Sequence, residues 1–238
     1  ERGLWLVREA TESRVERNTI TYNAAVSVCG KIGKWVFALQ VFRGMTEAKV
    51  DRDIITYNSA ISACEKAGAW ASALQLFCEM AKVGIERNTI SYNAVLSACE
   101  KGGEWIRALQ LVREMAESHV ERDTITYNAA ISACEKGGEW IQSLSIFRAM
   151  SVDGVARDTI SYSAAISSYE KFGDWVHALE LFREMGDGFV ERDTIVYSAA
   201  ISACEKGDEW EHALLLLKEM EKGHVESNAI SYSAAVSA

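Results

Sequence analysis

Apolar and polar positions along the chain follow two nested periods. The shorter one is helical. In the stretch TITYNAAISACEKGGEWIQSLSIFRAMSVDGVARD, residues 124–158, the residues Tyr127, Ala130, Ile131 and Cys134 recur at helical spacing. After Gly137 and Gly138, a second stripe carries Trp140, Leu144, Phe147 and Met150. This pattern predicts one helix from about Thr124 to Lys136 and another from about Glu139 to Met150. Asp123 stands where an N-cap belongs, and the glycine pair stands where a helix should stop. Ser143 occupies a place held by a small residue elsewhere (Ala38, Ala73, Ala108, Ala178, Ala213), which lets helices approach closely. A short turn with one apolar residue, Val155, leads onward.

The longer period is 35 residues. Tyr22, Tyr57, Tyr92, Tyr127, Tyr162, Tyr197 and Tyr232 keep it without a slip. Six full copies follow, 19–53, 54–88, 89–123, 124–158, 159–193 and 194–228, with a half copy at 1–18 and a partial copy at 229–238. A helix–turn–helix unit this short cannot bury its own apolar face, so the copies must stack on one another. The expected fold is all-α, an α-solenoid of antiparallel helix-turn-helix repeats forming a single array over 1–238. Solenoids present long surfaces that hold something.

Composition narrows what that could be. Apolar residues make up 49% and charged residues 25%, the balance of a folded chain rather than a disordered one. No apolar run approaches the roughly 20 residues that span a membrane. Net charge is −9, which weighs against nonspecific attraction to a polyanion, although the location of charge matters more than its sum. The chain opens at Glu1 inside a half copy and stops at Ala238 inside another, so it reads as a segment of a longer protein. Apolar helix faces at such ends leave self-association open.

Nothing points to chemistry. Cys29, Cys64, Cys99, Cys134 and Cys204 share one repeat position, with Tyr169 in the remaining copy, and no pair has the spacing of a zinc site. They read as small buried thiols; Cys78 stands alone on a second helix. No nucleophile–base pair and no phosphate-cradling glycine loop occurs, so no enzyme, metal or cofactor is expected in this segment. His177 and His212 share an exposed second-helix position without a general-base role.

The informative positions are polar ones that core packing does not require. The second, fifth, ninth and thirteenth residues of each copy share one face of the first helix, as in Ile20, Asn23, Ser27 and Lys31. Later full copies keep Ile, then Asn or Ser, then Ser, then Lys. Asn and Ser are mediocre helix formers, so propensity gives no reason for them. The stripe suits a surface that touches a ligand. Lys31, Lys66, Lys101, Lys136, Lys171 and Lys206 form a positive row, while Glu79, Glu114, Glu184 and Glu219 lie on the second helix, facing away. The lysines also suit the helix C-terminus by charge, and the two readings are compatible. Trp35, Trp70, Trp105, Trp140, Trp175 and Trp210 open the second helices, away from the stripe, and read as packing residues rather than stacking platforms.

The runs TYNAAISACEKGGEW and ALQLFCEM resemble the two helices of the pentatricopeptide repeat family, and the 35-residue period separates them from the 34-residue tetratricopeptide repeat. The resemblance covers essentially the whole chain. It implies a right-handed superhelix that binds single-stranded RNA at about one base per repeat, its N-terminus toward the RNA 5′ end. Base choice would depend on the fifth and last residues of a copy. On that basis Asn23 with Asp53 resembles a uracil reader, and Asn58 with Asn88 a cytosine reader that tolerates uracil. Asn93 with Asp123 and Asn128 with Asp158 again resemble uracil readers; Ser163 with Asp193 resembles a guanine reader and Ser198 with Asn228 an adenine reader. Ser233 holds the fifth place of the partial copy. The implied site is 5′-U-C/U-U-U-G-A-3′. Ile20, Ile55, Ile90, Ile125, Ile160, Ile195 and Ile230 would clamp successive bases, and the lysine row would meet phosphates. The uniform copies resemble the subclass that protects, processes or activates translation of RNA in mitochondria or plastids.

The chain departs from the family in containing no proline. Arg52, Arg87, Arg122, Arg157 and Arg192, with Ser227 last, occupy the place before the final residue of each copy, where the family often has one. These arginines read equally as phosphate contacts or as solvated side chains. The Asp or Asn after them reads as an N-cap on the residues alone and, with the resemblance, as a base reader; the two roles can coexist. The rival to RNA binding is a tetratricopeptide-like scaffold gripping a peptide in the groove, a reading the acidic net charge favours.

Overall fold

The computed structural model describes residues 18–237, so the expected half copy at 1–18, apart from Asn18, lies outside the described residues. Thirteen helices and no strand occur among them. They fall in two compact units, one ending at Glu121 and the other beginning at Arg122.

The first unit holds α1 (Thr19–Lys31), α2 (Trp35–Glu47), α3 (Ile54–Lys66), α4 (Trp70–Lys82), α5 (Thr89–Gly102) and α6 (Trp105–Glu117). The second holds α7 (Thr124–Lys136), α8 (Trp140–Val152), α9 (Thr159–Phe172), α10 (Trp175–Asp187), α11 (Thr194–Lys206), α12 (Trp210–Lys222) and α13 (Ala229–Ser237). The predicted first helix of the type copy is met at both ends; the second begins at Trp140 and runs on to Val152. In each unit the first helices pack side by side (α1 on α3 on α5; α7 on α9 on α11 on α13). Each second helix packs on its own first helix and, within the unit, on the next copy's first helix. This is an α-solenoid of helical hairpins.

Local chemistry accounts for the ends. Asn18, Asp53, Asn88, Asp158 and Asp193 all have extended backbone, and each side chain accepts the amide of the third helical residue. That satisfies one of the amides a helix start leaves unpaired. In the hairpin turn the chain must take a left-handed conformation; Gly138 (φ 77°) supplies it at no steric cost, and Asp208 (φ 55°) stands in the same place in the last full copy.

The core answers the 35-residue tyrosine period. Tyr57 packs edge-on against Phe42 of the preceding copy, centroids 5.0 Å apart, and its hydroxyl donates to Glu79 at 2.8 Å. Tyr162 repeats this with Phe147 and Glu184, and Tyr197 with Phe182 and Glu219. Ala149 stands where those copies have glutamate, and Tyr127 bonds to Asp153 instead.

The arginines that replace proline complete the same cluster. Arg52 lies over Phe42 at 4.1 Å and pairs with Glu79 at 2.9 Å. Arg87 pairs with Glu114, Arg157 with Glu184 and Arg192 with Glu219, at 2.6–2.7 Å, while Arg122 follows the displaced acid to Asp153. Arg157 and Arg192 also donate to the carbonyls of Phe147 and Phe182. Neither expected role, phosphate contact or free solvation, describes them. They are clasps between consecutive copies, because a delocalised, weakly hydrated guanidinium can lie on an aromatic face while its edge bonds a carboxylate.

Trp70, Trp140 and Trp175 are packing residues, as expected, whereas Trp210 is 53% exposed. A Cβ added at Gly102 would fall 2.3 Å from Trp70 Cδ1, and one at Gly207 2.2 Å from Trp175 Cδ1, so each indole packs closely against the next copy's helix end. In the copy with Phe172 at that place, Trp140 meets a ring instead, at 5.9 Å. Cys29, Cys64, Cys99, Cys134 and Cys204 are buried free thiols.

Candidate functional site

A branched aliphatic side chain is normally buried, so an exposed row of them is informative. Ile20, Ile55, Ile90, Ile125, Ile160, Ile195 and Ile230, each the second residue of a first helix, are 58–78% exposed. Between Ile55 and Ile90 lies a hollow of about 320 Å³ lined also by Asn58, Ser62 and Lys66 of α3 and by Ser27 and Gly30 of α1. All four stripe positions of copy 54–88 therefore face one cavity, with the isoleucine of the following copy on its border. The arrangement offers two apolar side chains, a short amide, a hydroxyl and a cation to something flat and polar-edged.

The fifth and last residues of a copy, 30 apart in sequence, meet. Asn23 Nδ2 donates to Asp53 Oδ1 at 3.3 Å. Asn128 Nδ2 stands 3.0 Å from both carboxylate oxygens of Asp158. Ser198 Oγ lies 3.4 Å from Asn228 Oδ1, with a shorter bond of 2.7 Å to the Thr194 carbonyl. The last residue thus caps a helix at Asp53, Asn88, Asp158 and Asp193, and at Asp53 and Asp158 it also meets the fifth residue of its copy. Asn58, Asn93 and Ser163 are half-buried, Ser233 is exposed, and Asp123 caps α7. The fifth position is not the exposed helix face that a merely tolerated polar residue would occupy, since Asn128 and Ser198 are only 9% and 8% exposed. Burial pushes the Asp53 carboxyl up, but bonds from the Thr56 hydroxyl and amide and from Asn23 outweigh it and hold the pKa below the usual carboxylate range. Asp53 is therefore an anionic acceptor at neutral pH.

The sequence reading missed a third member of this cluster. The third residue of the following copy is Thr or Ser at Thr21, Thr56, Ser91, Thr126, Ser161 and Ser231, and Val196 once. Thr56 Oγ1 donates to Asp53 Oδ1 at 2.7 Å while accepting from the Asp53 amide, a reciprocal capping box. Ser91 Oγ reaches Asn88 Oδ1 at 3.0 Å and Asn58 Oδ1 at 2.7 Å. The signal was present as a hydroxyl three residues after each cap.

The lysine row differs from expectation. Lys31, Lys66, Lys101, Lys136, Lys171 and Lys206 are exposed, but the acids are not segregated to the second helix. A glutamate precedes the lysine in five copies (Glu65, Glu100, Glu135, Glu170, Glu205), and within each unit the lysine of a following copy pairs with one. Lys101 pairs with Glu65, Lys171 with Glu135, and Lys206 with Glu170 at 2.6 Å. Stacking 35-residue copies puts the end of one first helix beside the end of the next, so the row is a ladder of alternating charge. The second-helix acids Glu79, Glu114, Glu184 and Glu219 are absorbed by the arginine clasps.

No candidate metal cluster occurs among the described residues, and no helix there is long and apolar enough to cross a membrane. No curated protein sequence matches the chain significantly. Among solved structures, the pentatricopeptide repeat protein PPR10 in complex with an 18-nt psaJ RNA element matches with a TM-score of 0.87 at 22% identity, over 98% of this chain and 34% of that one. PPR10 from maize gives 0.70 at 24% identity, over 99% and 34%. The PPR domain of Arabidopsis thaliana protein-only RNase P 1 in complex with tRNA gives 0.64 at 16% identity, over 73% and 91%. The chain thus spans about a third of the length of PPR10. The description "PPR repeat family" matches residues 52–101 and 87–136, "Pentatricopeptide repeat domain" matches 5–67, and "PPR repeat" matches 125–155, 160–187 and 195–225. Those segments cover most of the chain in the register of the tyrosine period, and the chain belongs to the pentatricopeptide repeat family.

Proposed function

We propose that the chain binds single-stranded RNA in a base-selective way, about one base per copy, at a site 5′-U-C/U-U-U-G-A-3′. The observation that carries this reading is the hollow between Ile55 and Ile90, where apolar walls for a base plane and the Asn58 amide for its edge face the same space. The repeated meeting of fifth and last residues supports it, as do similar folds solved with RNA. Base edges are distinguished by their donors and acceptors, and a short amide or hydroxyl beside an ionised carboxylate is a compact way to test both. Lys66, which lines the hollow, meets a phosphate directly, whereas Lys101, Lys171 and Lys206 do so only where RNA displaces a glutamate partner.

The mechanism is occupancy: a segment held single-stranded is withheld from nucleases and from refolding. At roughly 1 kcal/mol per stacked base, six copies give modest affinity. The site of action is a mitochondrion or plastid, a proposal that rests on the family alone.

The test is titration of the protein with labelled 5′-UCUUGA-3′ RNA in a neutral flank, beside a scrambled RNA and the DNA equivalent. Preference for the first by about tenfold or more, the cost of one or two mismatched contacts, is the expected result. Equal or absent binding of all three removes the reading and returns the groove to a peptide ligand.

A further inference from the structure

Resting on that reading, we infer that the hydroxyl at the third position of each following copy is a positioning residue for base selection, and that Val196 makes the fifth base the least strictly chosen. Ser91 shows why. Its Oγ donates its one proton to the Asn58 side-chain oxygen at 2.7 Å and lies 3.0 Å from the Asn88 side-chain oxygen, touching both residues assigned to the second base. An Asn amide presents a donor on one side and an acceptor on the other, and its orientation follows its hydrogen bonds. Holding Oδ1 turns the Asn58 Nδ2 donor toward the hollow. Ser91 itself is fully buried, so it acts through Asn58 and Asn88 and does not touch the ligand.

The same hydroxyl contacts the last residue in other copies. Thr56 donates to the Asp53 side chain, while Ser161 and Ser231 donate to the backbone carbonyls of Asp158 and Asn228 at 2.8 and 2.9 Å and stand 3.2 Å from their side-chain oxygens. Each of these last residues is within 3.0–3.4 Å of its fifth-position partner. Val196 has no hydroxyl to give, and Asp193 is held by the Val196 backbone amide at 2.9 Å. A carboxylate tied by one bond instead of two has more freedom to swing, so it meets wrong base edges at lower cost.

The experiment compares binding of RNAs that differ only at base two, only at base four or only at base five, for wild type, Ser91→Ala, Ser91→Thr and Val196→Ser. Expected results are a loss of discrimination at base two of about fivefold for Ser91→Ala, the size of one hydrogen bond, with base four unchanged. Ser91→Thr keeps wild-type discrimination, and Val196→Ser sharpens base five by a similar factor. A Ser91→Ala effect shared equally by all RNAs identifies a capping role alone and overturns the inference, as does an unchanged ratio at base two together with an unchanged ratio at base five. Wild-type protein that prefers no base at any position removes the RNA reading beneath it, a different result from either.

Discussion

The guanidinium of Arg157 lies 4.0 Å from the Phe147 ring centroid and donates to Glu184 at 2.7 Å, joining the second helix of one copy to that of the next. Tyr162 donates to the same glutamate at 2.9 Å. Where the family often uses a proline to stiffen the turn, this chain ties consecutive copies with a charged, aromatic clasp. Arg157→Ala is expected to destabilise the protein by about 1–2 kcal/mol, combining a part-exposed ion pair with a cation–π contact. Urea unfolding of Arg157→Ala, Glu184→Ala and the double variant checks it; additive losses would deny the coupling.

Stability should fall in alkali before it falls in mild acid. Burial, with the bond to Asp153, pushes the Tyr127 hydroxyl up to about 12. Burial also pushes the Cys134 thiol up to about 12 and the Cys64, Cys99 and Cys204 thiols up to about 11. Each folded pKa lies above its unfolded value, so the stabilisation is complete below about 8.5 for thiols and about 10 for the phenol. It is lost as pH rises toward those folded values. Unfolding midpoints measured from pH 8 to 11 should decline, and Cys134→Ala should flatten part of that decline.

Thiol chemistry separates one cysteine from the rest. Cys78 is exposed, whereas Cys29, Cys64, Cys99, Cys134 and Cys204 are buried. A disulfide reagent at pH 8 should label one thiol of the six promptly and the other five only on unfolding. Two or more promptly labelled thiols would contradict the core packing described here.

The charge ladder makes a counterintuitive expectation for ligand binding. Glu135 holds the charge of Lys171, so Glu135→Gln should free that lysine for a phosphate and raise RNA affinity by about two- to fivefold at low salt. The gain should fade in high salt. Binding measured at two ionic strengths decides it, and a loss of affinity would show the pair to be structural.

The fifth copy offers a switch of preference. Ser163→Asn, beside Asp193, recreates the pair seen at Asn128 and Asp158, and should move selection at the fifth base from guanine toward uracil by about tenfold, one or two hydrogen bonds. An equal change for all four bases would show that the pair does not read the base.

The sequence by itself determined the helices, their caps and the 35-residue stacking period, because these depend on neighbours within a turn or two. Asp123, Thr124–Lys136 and Gly138 are legible as cap, helix and left-handed turn from chemistry local to each. The exposed isoleucine row was legible too, since a position within the helical period states which face a residue occupies. What a residue meets across copies was not. Lys171 lies 36 residues from Glu135, Arg157 27 from Glu184 and Ser91 33 from Asn58. Periodicity assigns each to a face but is silent on how far one copy is displaced against the next, and that displacement decides which side chains bond. Tertiary stacking therefore paired Lys101, Lys171 and Lys206 with glutamates, turned the arginines into clasps, and brought a capping hydroxyl, that of Ser91, against both the fifth and the last residue of the preceding copy.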